Sequence, residues 1–237
     1  MTIHALVREL LGPGWSVFRR FWLAFTLIQS LAIFLVFAYY NFPLVAIWCN
    51  SLASLKAQAG LLFIICLNPI AAGVVPEIFR HLTRRGDRWN RAYAWEFTYL
   101  LGVFASTGVL VDLFYRAQSL VLGDQPSLST VAMKVLIDQL LFSPLLAQPL
   151  GVSLLFLYRV QFNVVRLFQA WSSSFYRHAV LPLIVPGWLF WFPMTACIYS
   201  LPSNLQVPLF LFGMAAWSLI FVALARQKTA PHVLIKE

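Results

Sequence analysis

The residues whose types and spacing could do chemistry gather in one stretch, KVLIDQLLFSP, Lys134 to Pro144. Asp138 lies one helical turn after Lys134, so the two share a helix face, and Gln139 and Ser143 widen that polar arc. An ammonium, a carboxylate, an amide and a hydroxyl on one face could replace the hydration shell of a passing ion, or could hold helices together by hydrogen bonds. The stretch is otherwise greasy. An ionised carboxylate in hydrocarbon costs roughly several kcal/mol, so Asp138 should face the bundle interior or water and have a partner, with Lys134 the nearest candidate. Behind them Pro144 and Pro149 remove backbone donors, and the freed carbonyls are tolerated only where protein or a water-filled cavity supplies partners.

Polar residues recur in two further apolar runs. CLNPIAAG, Cys66 to Gly73, sets Asn68 before a helix-breaking proline among small residues. GVFASTG, Gly102 to Gly108, offers Gly102 and Ser106 as a small-xxx-small packing pair and leads to Asp112. Asn68, Asp112, Asp138, Gln139 and Ser143 are therefore pore or polar-network candidates, equally readable as glue between helices. Asp112 and Asp138 meeting as a catalytic pair is the one enzymatic option. No HExxH, CxxC, GxSxG or phosphate-cradling glycine loop is present, and His4, His81, His178 and His232 fall in termini or loops. Cys49, Cys66 and Cys197 lack metal-ligand spacing and read as buried, inert thiols. The expectation is no catalytic residue, no metal and no cofactor.

The elements that must carry these residues follow from composition. Of 237 residues 61% are hydrophobic and 11% charged, against roughly 25% charged in a soluble domain. Since about 20 apolar residues cross a bilayer, the long uncharged runs predict an all-α, polytopic transmembrane bundle. Six spans are expected, near 21–40, 57–77, 96–114, 134–157, 180–200 and 207–225. The third is short between Glu96 and Asp112, and the fifth is interrupted by Pro182, Pro186 and Pro193. Fourteen of the 17 Lys and Arg residues then fall on one side, leaving Lys56, Arg116 and Lys134 on the other. By the positive-inside rule both termini are cytoplasmic or matrix-facing. The net charge of +9 reads as topology and as contact with anionic lipids at the basic inner face, not as nucleic-acid binding. Residues 1–54 read as a basic leader plus an added helix, 55–225 as the membrane core and 226–237 as a short basic tail. Within Phe156 to His178, Arg159, Asn163, Arg166 and Ser173 recur at helical spacing, which suits an amphipathic helix in the interface.

Lys134, Asp138, Gln139, Phe142 and Pro144 form K-x3-DQ-x2-F-x-P, which resembles the signature of the peroxisomal 22-kDa membrane protein (Mpv) family of mitochondrial inner-membrane and peroxisomal proteins. GWLFWFP, Gly187 to Pro193, is similar to that family's NWxxWP element, with Trp188 and Trp191 in place, Pro193 displaced by Phe192, and Trp217 near its C-terminal tryptophan. Gly108 and Phe114-Tyr115 fall where the family has a glycine and an aromatic-tyrosine pair. Ala196 stands near the family's glutamine, Gly73-Val74 replaces its glycine-aspartate, and Leu209 to Phe212 lacks its arginine. The resemblance covers roughly residues 55–222 and implies a divergent member with an added N-terminal helix and a channel-like role. A pore for small solutes or ions is thus the leading expectation, with Asp138 favouring cations, Gln139 and Asn68 as neutral ligands, and homo-oligomers allowed. A non-conducting membrane scaffold or assembly factor is the alternative. The charge pattern suits a bacterial plasma membrane or a mitochondrial inner membrane.

Overall fold

The computed structural model describes Trp22, residues 26–82 and residues 90–228, and every regular element among them is helical. The basic leader through residue 21, with Arg8, Arg19 and Arg20, lies outside the described residues, as do Arg84, Arg85, Arg88 and the tail from residue 229.

The first apolar run makes two helices, α1 (Thr26–Asn41) and α2 (Pro43–Ala59), whose axes meet at 104°. Phe42 is extended and Pro43 occupies the first helical position, where a missing N–H costs nothing but the preceding residue cannot stay helical. α2 ends at Gly60, whose φ of 58° glycine reaches without a Cβ penalty. Leu55, where composition alone would begin the membrane core, lies inside α2. α1 makes hydrogen bonds to the far end of the chain. Gln29 Nε2 donates to the Phe190 carbonyl at 2.7 Å and Tyr40 Oη to that of Ser200 at 2.7 Å.

α3 (Leu61–Leu82), α4 (Arg91–Leu122), α5 (Leu128–Arg159) and α7 (Ser173–Tyr199) are each long and apolar enough to cross a bilayer. Taking α1 and α2 as one broken span makes five. Short α6 (Val164–Ala170) separates α5 from α7, and α8 (Ser203–Lys228) closes the described chain with an apolar stretch over Leu205–Ser218. The third expected span is longer than 96–114 because Asn90 caps its start, accepting from Tyr93 N at 2.8 Å, and Asp112 inside it is ion-paired. The prolines do not break the fifth. Pro182 sits in the first turn of the α-helical part and a wide π turn, Tyr176–Val180, precedes it.

The segment from Phe156 to His178 is not one amphipathic helix. Gln161 and Phe162 adopt positive φ, 53° and 60°, and turn the chain after Arg159, so Arg159, Asn163, Arg166 and Ser173 share no continuous face. α6 has seven residues, buries none, and leaves Val164, Val165 and Phe168 exposed. The core lies where α3, α4, α5, α7 and α8 meet, around Phe63, Ile64, Phe104, Phe156, Phe190, Met194 and Ile198. Leu113, Leu136, Leu140, Leu141 and Leu145 on α4 and α5 stay exposed and make an apolar outer surface, compatible with contact to hydrocarbon. The cysteines are free, and Cys66 is exposed and the other two half-buried, so they are not the buried thiols expected.

Candidate functional site

From Asp138 to Ala147 α5 winds as a π-helix, and the Gln148 N–H bonds the Ser143 carbonyl five residues back. In that register Pro144, lacking an N–H, frees the carbonyl of Gln139, and Pro149 frees that of Pro144. Both carbonyls are taken by side chains of α7. Trp188 Nε1 donates to the Gln139 carbonyl at 2.7 Å and Tyr176 Oη to the Pro144 carbonyl at 2.9 Å. Two prolines that would open a helix in lipid are thus compensated by two amphipathic aromatic donors, whose bodies pack while their polar tips bond. π segments are costly and concentrate at functional sites; here the wide turn also brings Asp138, Gln139, Ser143 and Gln148 onto the wall of one cavity.

Asp138 is buried and its partner is not Lys134. Tyr199 Oη donates to Asp138 Oδ2 at 2.5 Å, and Gln139 Nε2 to Oδ1 at 3.2 Å. Lys134, also buried, bonds Ser119 Oγ at 3.3 Å, with its ammonium 5.9 Å from the Tyr199 ring centroid. Helical Cβ atoms tilt toward the N-terminus, so the long lysine stem runs back toward the end of the span, away from the carboxylate a turn ahead. The carboxylate therefore has neutral donors only.

The cavity beside it is about 100 Å³ in volume. Asp138, Gln139, Ser143, Gln148, Thr107 and Thr195 supply its polar lining, and Phe104, Tyr115, Phe142, Trp191, Phe210 and Trp217 its aromatic lining. Trp191 stacks on Phe210 with centroids 5.8 Å apart and meets Trp217 edge-on at 6.2 Å. Tyr115 also lines a second recess of about 520 Å³ that includes Lys56, Arg116, Ser119, Asp124, Ser203 and Gln206.

The other candidates lie elsewhere. Asp112 is buried between Arg116, whose Nε donates to Oδ2 at 2.7 Å, and Lys56, whose Nζ is 3.4 Å from Oδ1. Asp112 and Asp138 thus serve separate partner sets among the described residues, and Asp112 is not on the wall of the cavity that Asp138 lines. Asn68 is off the cavity wall as well. Its Nδ2 donates to the Phe104 carbonyl at 2.6 Å, joining α3 to α4. The close approach of these helices occurs at Gly108, where a Cβ would stand 2.7 Å from Asn68 Nδ2. At Gly102 a Cβ would meet nothing within 4 Å, and both Gly102 and Ser106 are exposed, so that small-residue pair packs nothing. Of the tryptophan element, Trp191 and Trp217 reach the cavity, Trp188 satisfies α5, and Pro193 is exposed.

Sequence reasoning missed Tyr199, Tyr176 and Gln148. Two prolines in one long apolar helix do announce two freed carbonyls, but a linear chain with this many aromatics does not say which ones answer. Among the described residues no group of three or more His, Cys, Asp or Glu side chains gathers to hold a metal ion. Compared with known proteins, the chain matches no family model, no curated protein and no solved structure.

Proposed function

We propose that this is an integral membrane protein that passes small solutes or ions through its helix bundle, with Asp138, Gln139 and Ser143 on the path. The observation that carries this reading is Tyr115, which lines both the inner cavity and the wider recess, so that the two spaces share a wall residue. Lys56, Arg116 and Asp124 supply the charges on the wall of the wider recess, and both cations also pair with buried Asp112. Filters of this kind replace hydration with side-chain oxygens.

In the same reading α8 makes the sixth crossing, both termini face the basic cytoplasmic or matrix side, and the inner face contacts anionic lipids. It is supported by Lys56, Arg116 and Lys134, which all belong to one end of the bundle: two line the recess and the third bonds Ser119 on its wall. The Lys134-to-Pro144 element then marks a divergent relative of the Mpv family, in a bacterial plasma or mitochondrial inner membrane. A second reading, a non-conducting scaffold, is favoured by Asn68 and Asp112, both spent on interhelical contacts.

Planar-bilayer recordings of the purified protein separate the two. Conduction predicts wild-type current whose cation preference falls in Asp138→Asn. Silence from wild type across a panel of ions and small solutes, with Asp138→Asn less stable, would leave the scaffold.

A further inference from the structure

We propose that the inner cavity binds a small primary ammonium, its charged head at Asp138 and Gln139 and its alkyl body against Trp191, Trp217 and Phe210.

Three observations converge. Gln139 Oε1 and Gln148 Oε1 are buried acceptors that no donor among the described residues reaches, although both residues line the cavity and are only 2% and 6% exposed. Buried acceptors left unpaired are rare and expensive. The Gln139 amide is oriented by its own N–H bond to Asp138, which leaves its oxygen as the acceptor. The site therefore asks for a hydrogen-bond donor. Second, Asp138 holds two neutral donors and no ion pair, with Lys134 committed to Ser119. Carboxylates inside a membrane bundle pair with a cation where one can reach them, so the donor the site asks for is positive. Third, the remaining wall is aromatic, and ring faces within about 6 Å attract a cation and accept an alkyl chain at once.

Size narrows the class. About 100 Å³ holds several water molecules, which admits methyl- or ethylammonium, while tetraethylammonium has no N–H to offer the open acceptors. A –NH3+ group offers three donors and no acceptor, matching a wall whose open groups include a carboxylate and an amide oxygen. A ligand of three heavy atoms binds with a Kd on the order of a millimolar at best, so the site samples an abundant solute instead of trapping a scarce one.

The inference deepens the conduction reading and rests on it for the meaning of binding in a membrane. Binding itself is measured in detergent, where nothing crosses, so the two fail separately. The full-length purified protein is titrated with ethylammonium chloride by calorimetry and by its Tm, beside sodium chloride, sodium propionate, acetamide and tetraethylammonium chloride at matched concentrations. A saturable heat and a raised Tm with ethylammonium alone are expected. In Gln148→Leu, which removes an amide whose oxygen meets no donor among the described residues, the fold persists and the affinity falls about tenfold. An equal response to acetamide would overturn the assignment of charge. No ethylammonium response, or one unchanged in both Gln148→Leu and Gln139→Leu, would overturn the site, leaving a cavity for water only. Binding without bilayer current would keep the site and discard conduction.

Discussion

Gly108→Ala is expected to lower the stability of the detergent-solubilised protein by about 2–3 kcal/mol, while Gly102→Ala, six residues earlier on the same helix, leaves it unchanged or raises it by up to about 1 kcal/mol. The contrast follows from what each Cβ would meet. At Gly108 it falls 2.7, 2.8 and 2.9 Å from Asn68 Nδ2, Cβ and Cγ, inside the separation that real side chains keep. Asn68 cannot step aside without cost, because it is fully buried and its 2.6 Å bond to the Phe104 carbonyl fixes it. Either the bond breaks, stranding a buried amide at about 1–3 kcal/mol, or α3 and α4 separate and lose contact along their crossing. At Gly102 the added methyl faces open space, and alanine is the better helix former. Unfolding of both variants by denaturing detergent, read by circular dichroism, decides. Equal behaviour of the pair would mean that α3 and α4 do not meet at Gly108.

Trp188→Phe should cost about 1–3 kcal/mol in wild type and much less in a Pro144→Ala background. Phenylalanine keeps most of the aromatic body but removes the indole donor, so the Gln139 carbonyl, accepting at 2.7 Å, is left bare in the protein interior. Alanine at 144 restores a backbone N–H five residues after Gln139, in the register that the Gln148-to-Ser143 bond defines, and that N–H takes the carbonyl back. The four-variant cycle reads the coupling directly. Strictly additive costs would show that Trp188 and Pro144 are energetically independent and that the π register does not hold. Tyr176→Phe with Pro149→Ala repeats the test at the Pro144 carbonyl, accepting at 2.9 Å.

Much of the architecture was legible because solvent, not neighbours, dictates it. A chain with 61% hydrophobic residues must satisfy its backbone internally, and in lipid a run of uncharged residues has helix as its simplest solution. The long helices α3, α4, α5 and α7 accordingly fall on the apolar runs. Boundaries were less legible. Charges read as span limits were wrong guides at Asp112, since Lys56 arrives from α2 to meet it, and a residue's partner is not written beside it.

At the site, residue type alone singled out Asp138, Gln139 and Ser143, because a polar side chain in hydrocarbon needs a partner wherever the fold sends it. What the partner would be was decided by packing. The nearest cation in sequence, Lys134, was the natural choice, yet a four-carbon stem on a helix leans toward the N-terminal turn, and Tyr199, 61 residues away, meets the carboxylate instead. The prolines at 144 and 149 likewise announced freed carbonyls, but the choice of Trp188 and Tyr176 as donors needed α7 laid against the π turn of α5. Composition and spacing thus determined a helical bundle with a costly polar stretch in its middle, because transfer out of water acts on each residue separately. Tertiary structure decided which groups that stretch faces, because hydrogen bonds and ion pairs act only between atoms that helices from distant parts of the chain bring within about 3 Å.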